Sequence, residues 1–127
     1  MEKIKFDSGM EEFSLGGGIL RFNPADPNLY ARFLSCGEKF RQIEAQLKEK
    51  ASQGAGIALL QEADQKLKKM LSWVFGAPND FETLLGGVSL LATGKNGERV
   101  IVNLLSALQP VLVKGAKICA KELGGKA

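Results

Sequence analysis

Histidine is missing from all 127 residues. With it goes the commonest general base, the commonest metal ligand and every Ser-His or Cys-His nucleophile pair. Cysteine is almost as scarce. Cys36 and Cys119 are far apart, form no Cys-x-x-Cys spacing, and complete a tetrahedral zinc site only if carboxylates supply the other ligands. Each falls within an apolar helical pattern, where a buried thiol behaves as a small hydrophobe. A disulfide between them is the alternative. It requires an oxidising compartment, and the first residues show no signal-peptide pattern. Uninterrupted apolar runs of about 18 residues, as a membrane helix requires, are also lacking, because Lys, Gly and Pro cut the longest candidates. The expectation is a soluble protein of the cytoplasm with no membrane partner. Close acidic groups are limited to Glu11-Glu12 and Asp80 with Glu82, and a ribbon edge or a helix N-terminus accounts for them. No catalytic, cofactor-binding or metal-binding residue is therefore expected, and an enzyme is the last of the functional classes to consider.

The chain is not poor in core-forming residues. It is 45% hydrophobic, 24% charged and carries seven Phe and one Trp, enough for one globular domain with one core. Seventeen basic residues are interleaved with fourteen acidic ones, as in Lys48-Glu49-Lys50, for a net charge of +3. Nucleic-acid binding calls for Lys and Arg concentrated on one face without compensating carboxylates, so nucleic acid is not expected as a partner.

Hydrophobic periodicity predicts an α+β fold that is mainly α. Residues 3–22 read as extended: Ile4 and Phe6 alternate with Lys3, Lys5 and Asp7, then Phe13 and Leu15 with Glu12 and Ser14. Gly16-Gly17-Gly18 folds residues 12–15 back on 19–22 as a hairpin. A phosphate-cradling loop would need a helix to follow the glycines, and here a second strand follows. Asp26 and Pro27 are N-cap and first-turn signals for a helix over 27–51, with the apolar stripe Leu29, Phe33, Cys36, Phe40, Ile43 and Leu47 facing the core or a coiled-coil seam. Glycines and polar residues at 52–56 break it. A second helix follows over 57–75, with Leu60, Ala63, Leu67, Met70, Leu71 and Val74 on one side and Lys66, Lys68 and Lys69 mainly on the solvated side. The two make a helical hairpin. A short helix is expected at 81–85. Residues 88–92 read as a strand or a helical turn, and a helix kinked at Pro110 over about 98–123, with a frayed tail at 124–127. Aromatic and Met enrichment at interfaces marks the edge around Met70, Trp73 and Phe81 as the candidate partner-binding site, against a core-rim reading of Trp73.

The order of these features resembles the small tail assembly chaperones of long-tailed phages and Gram-positive prophages. The resemblance lies in a charged strand, Lys3-Ile4-Lys5-Phe6; a Gly-containing hairpin, Phe13 to Phe22; the helix start Asn23-Pro24-Ala25-Asp26-Pro27-Asn28 leading into Tyr30 to Phe40; and Val74-Phe75-Gly76 with Asp80-Phe81. It implies a protein that binds and solubilises the tape-measure protein in the host cytoplasm while the tail is built. The resemblance also implies a longer, frameshifted form of the chain as a second partner, with Gly125-Lys126 compatible with a slippery codon pair. A homo-oligomer is compatible with the same pattern. The alternative is a structural tail-completion or head-tail joining protein, and a small DNA-binding regulator stands behind both.

Overall fold

The computed structural model describes residues 1–51, 54 and 56–124. The fold is α+β and mainly α. Strands β1 (Glu11–Leu15) and β2 (Gly18–Phe22) precede helices α1 (Pro27–Ala51), α2 (Ile57–Phe75), α3 (Phe81–Leu84) and α4 (Val100–Gly124). The proposed breaker at 52–56 falls largely on residues 52, 53 and 55, outside the described residues, as does the frayed tail from residue 125 onward. Gly124 itself ends α4.

β1 and β2 form an antiparallel ribbon with Leu15 opposite Gly18 and Glu11 opposite Phe22. Gly16 closes the turn at φ +56, a conformation that costs glycine nothing. Only the second half of the expected extended region is a strand. Ile4 and Phe6 are 88% and 79% exposed, and residues 1–10 adopt no regular structure. Their alternation lacks a partner strand to satisfy the backbone and a layer to cover the apolar face.

The ribbon's inner face meets the helices through an aromatic chain. Phe13 stacks on Phe22 at 4.9 Å, Phe22 meets Phe75 edge-on at 4.9 Å, and Phe75 lies 5.6 Å from Phe81. Buried Asn79 fastens this junction. Its amide nitrogen donates to the Arg21 and Gly76 carbonyls at 2.6 and 2.8 Å, and its oxygen accepts from the Arg21 amide at 2.9 Å. One side chain thereby satisfies strand β2 and the end of α2 at once.

α1 starts as its sequence indicates, with Asp26 accepting from the Asn28 amide at 2.9 Å. Its stripe from Leu29 to Leu47 faces inward and packs on α2. α2 buries the expected apolar face, but Lys68 departs from expectation: it is 3% exposed. Its ammonium donates to Asp64 at 2.9 Å and to Glu82 of α3 at 2.7 Å. α3 and the loop after it cover that side of α2, so two carboxylates take the place of water. Asp80 caps α3 through the Glu82 amide, while the Glu82 carboxylate reaches Lys68 instead of simply facing solvent.

Residues 88–92 are neither strand nor helix. Leu90 and Leu91 are buried in a succession of turns closed by an isolated bridge between Thr93 and Arg99. This loop orders α4: the Leu90 carbonyl accepts from the Ile101 amide at 2.9 Å, the Ala92 carbonyl accepts from the Val100 amide at 2.8 Å, and the Leu90 amide donates to Asp64 at 2.8 Å. First-turn amides with no partner inside the helix are thus capped by loop carbonyls. α4 buries Ile101, Leu104, Leu108 and Leu112, whereas Ile118, nearer its end, is exposed. α4 continues unbroken through Pro110. Ser106, whose carbonyl loses its amide partner to the proline, is exposed, and water can take that place.

Candidate functional site

α1 and α4 run antiparallel and are pinned at one end. There the Tyr30 hydroxyl donates between the carbonyls of Pro24, at 2.6 Å, and Leu112, while the Cys119 thiol donates to the Ala25 carbonyl at 2.8 Å. Away from this pin the helices leave an apolar groove of about 490 Å³ between them, floored by Phe33, Phe40 and Leu105 and flanked by Leu34, Val102 and Val113. A deeper recess of about 110 Å³ continues beneath Phe33 and Phe40 to Cys36, Met70 and Ile101. A third hollow of about 270 Å³ extends from Phe40 and Val102 toward Leu47, Leu59 and Arg99. All three have Phe40 in their linings, and the groove between α1 and α4 is the open trough.

Leu34 is 76% exposed, Val113 44% and Val102 38%, although all three are aliphatic. α4 is long and apolar enough to cross a membrane by length and composition, with mean hydropathy 1.3 over Val100–Lys121, yet only 28% of that stretch is buried. Part of its remaining apolar surface, at Val102, Leu105 and Val113, lines the groove. From Tyr30 to Phe40 the trough spans roughly 15 Å, about three turns of helix. A concave apolar channel of that length with few polar groups takes an amphipathic helix laid along it.

The residues expected to bind a partner are not assembled into one surface. Phe81 is fully buried within the aromatic chain and cannot touch a partner in this fold. Met70 is half-buried and lines the deep recess of the groove, while Trp73 is 54% exposed and lies outside the trough. The groove residues themselves were missed by the periodicity, although a signal exists. Leu34 stands off the α1 stripe, and α4 carries Val102, Leu105 and Val113 beside its buried Ile101, Leu104, Leu108 and Leu112, so each helix is apolar on more than the one face its core needs.

Both cysteines are free. Among the described residues, no three His, Cys, Asp or Glu side chains converge as a metal site requires. Three groups near the groove or core have raised pKa values. Burial pushes the Cys36 thiol up, opposed in part by the Lys39 charge, and burial with the nearby Cys119 does the same to the Tyr30 phenol. For Lys68, burial alone would lower the value, but hydrogen bonds and charge from Glu82 and Asp64 more than offset it and the net direction is upward. A group whose pKa is raised on folding stabilises the fold below its unfolded pKa, and that contribution is lost as pH rises. Stability is therefore expected to fall in alkali, first above the ordinary thiol value of 9.0 and then above 10.0 and 10.5 as Tyr30 and Lys68 join in. Denaturant midpoints measured across that range check it; a midpoint flat to pH 11 would contradict all three directions.

Comparison with family models, with curated proteins and with solved structures gives no match. The class is therefore defined by the fold and the groove: a small α+β, mainly helical protein with an open apolar trough between its two longest helices.

Proposed function

We propose that this protein is a phage tail assembly chaperone that holds an amphipathic segment of the tape-measure protein in the α1–α4 groove and keeps it soluble in the host cytoplasm. The observation that carries the reading is the groove itself, a three-turn apolar trough with exposed Leu34, Val102 and Val113 on its walls. The order of ribbon, capped helix and helical hairpin that resembles such chaperones supports it. A holding role needs no reaction centre, only apolar surface that a client helix covers.

Co-expression with a tape-measure protein tests the reading: the complex should stay in the soluble fraction, and purified particles should lack this chain. Recovery of the chain in mature particles would instead favour a tail-completion or head-tail joining component. Leu34→Asp and Val113→Asp each place a charge on the groove wall. Each should weaken client binding by about tenfold, close to 1.4 kcal/mol, while shifting stability by no more than about 0.5 kcal/mol, because both sites are exposed. Trp73→Ala is the counter-test. Loss of binding there, with the groove variants unaffected, would move the site to the outer face of α2.

A further inference from the structure

Two features of the ribbon end are unused by the fold. The first is the segment Lys3–Phe6, in which exposed Ile4 and Phe6 alternate with two lysines outside any strand. The second is the outer edge of β1. In a two-residue hairpin closed by Leu15 opposite Gly18, hydrogen-bonded and non-bonded pairs alternate, so the backbone groups of Glu12, Ser14, Ile19 and Arg21 point away from the ladder. At Arg21 the outward amide and carbonyl are both taken by Asn79, in agreement with that phase. Glu12 and Ser14 have no such cover. Among the described residues, no hydrogen bond from outside the hairpin reaches their backbone groups.

We propose that the β1 edge accepts the Lys3–Phe6 segment of a second copy of this chain as a third, antiparallel strand. Placing Lys5 opposite Glu12 and Lys3 opposite Ser14 matches the outward backbone groups and sets Ile4 beside half-buried Phe13 on the apolar face. Charge is complementary: the segment brings two lysines to a strand that begins Glu11-Glu12, where, among the described residues, Arg21 alone pairs with Glu12, at 2.8 Å. A chain's own segment is directed elsewhere. The Ser8 carbonyl accepts from the Asn23 amide at 3.0 Å, and Gly9, at φ +76, lies so close to Asn23 that a Cβ would come within 2.5 Å of it. Asn23 follows β2, so these contacts carry the segment off on the β2 side, away from the free edge. Reciprocal exchange between two copies closes a symmetric dimer and removes both open edges.

Light scattering on full-length protein over a concentration series tests the exchange. The wild type should rise from 13.7 kDa toward twice that mass. Ser14→Pro removes an outward amide without touching the β1–β2 ladder, and Ile4→Lys with Phe6→Lys removes the apolar half of the segment; each variant should self-associate about tenfold or more weakly. Mixed, the two should form a heterodimer, since one copy still offers the segment and the other the edge. A wild type that stays at monomer mass, a mixture that does not associate, or Ser14→Pro copies that dimerise like the wild type would each overturn the proposal. Should Ser14→Pro not fold, copies carrying Lys3→Glu and Lys5→Glu should pair with copies carrying Glu11→Lys and Glu12→Lys but not with themselves; no rescue there overturns it equally.

Discussion

Lys68→Met is expected to cost the fold about 3–5 kcal/mol, the range for removing one partner of a buried ion pair. Methionine fills the volume of the lysine stem, so lost packing contributes little. The damage is electrostatic. Asp64, itself 5% exposed, would keep its charge with only the Leu90 amide, at 2.8 Å, to stabilise it. Glu82 would suffer less, because its side chain is 48% exposed and water can replace the ammonium. A further measurement separates this from a packing effect. Adding Asp64→Asn removes the stranded charge yet retains an oxygen for the Leu90 amide, so the double variant should be more stable than Lys68→Met alone by about 1–3 kcal/mol. A single variant within about 1 kcal/mol of the wild type would mean that the lysine stem, and not its charge, holds α2 to α3.

The same cluster shows what periodicity reads well and what it does not. The stripes of α1 and α2 are regular because each helix packs one broad face against the other, and Asp26, Pro27 and Asp80 mark helix starts through local chemistry that needs no tertiary context. Lys68 is misplaced by the same reasoning because its partner Glu82 is fourteen residues away, on a helix whose packing the pattern does not encode. The alternation of Lys3 to Phe6 has the period of a strand, yet a strand needs a neighbour, and within one copy Asn23 holds the adjoining residues elsewhere. The groove was hidden for a different reason. Periodicity picks out one buried face per helix, Leu34 and Val113 lie off those faces, and only the packing of α1 beside α4 brings them to one groove. Phe81, the most attractive interface aromatic by composition, is instead an end member of the Phe13–Phe22–Phe75 cluster.

Gly115→Ala should destabilise by roughly 2–3 kcal/mol net, although alanine is the better helix former by about 1 kcal/mol. A methyl at position 115 would overlap the Pro24 carbonyl and come within 2.5 Å of the Tyr30 hydroxyl. Pro24 has little room to yield: it is buried and flanked by Asn23, whose side-chain oxygen accepts from the Ala25 amide at 2.8 Å. The backbone overlap therefore outweighs the gain in propensity, and α4 must move off α1 at its pinned end. Gly37→Ala supplies the contrast. Gly37 lies in α1 with nothing within 4 Å of its would-be Cβ, so there the helical gain should stand alone and stabilise by up to about 1 kcal/mol. The same substitution is thus expected to have opposite signs on the two helices that form the groove. Because the Tyr30 pin sets their separation, Gly115→Ala should also weaken client binding and let the Tyr30 pKa fall back toward its ordinary value as the site opens to water. Thermal or denaturant unfolding gives the two signs, and a pH titration of tyrosine absorbance follows the pin. If Gly115→Ala proved as stable as the wild type with Tyr30 unchanged, the Pro24 segment would have to yield where its hydrogen bonds say it should not, and the groove width would not depend on that contact.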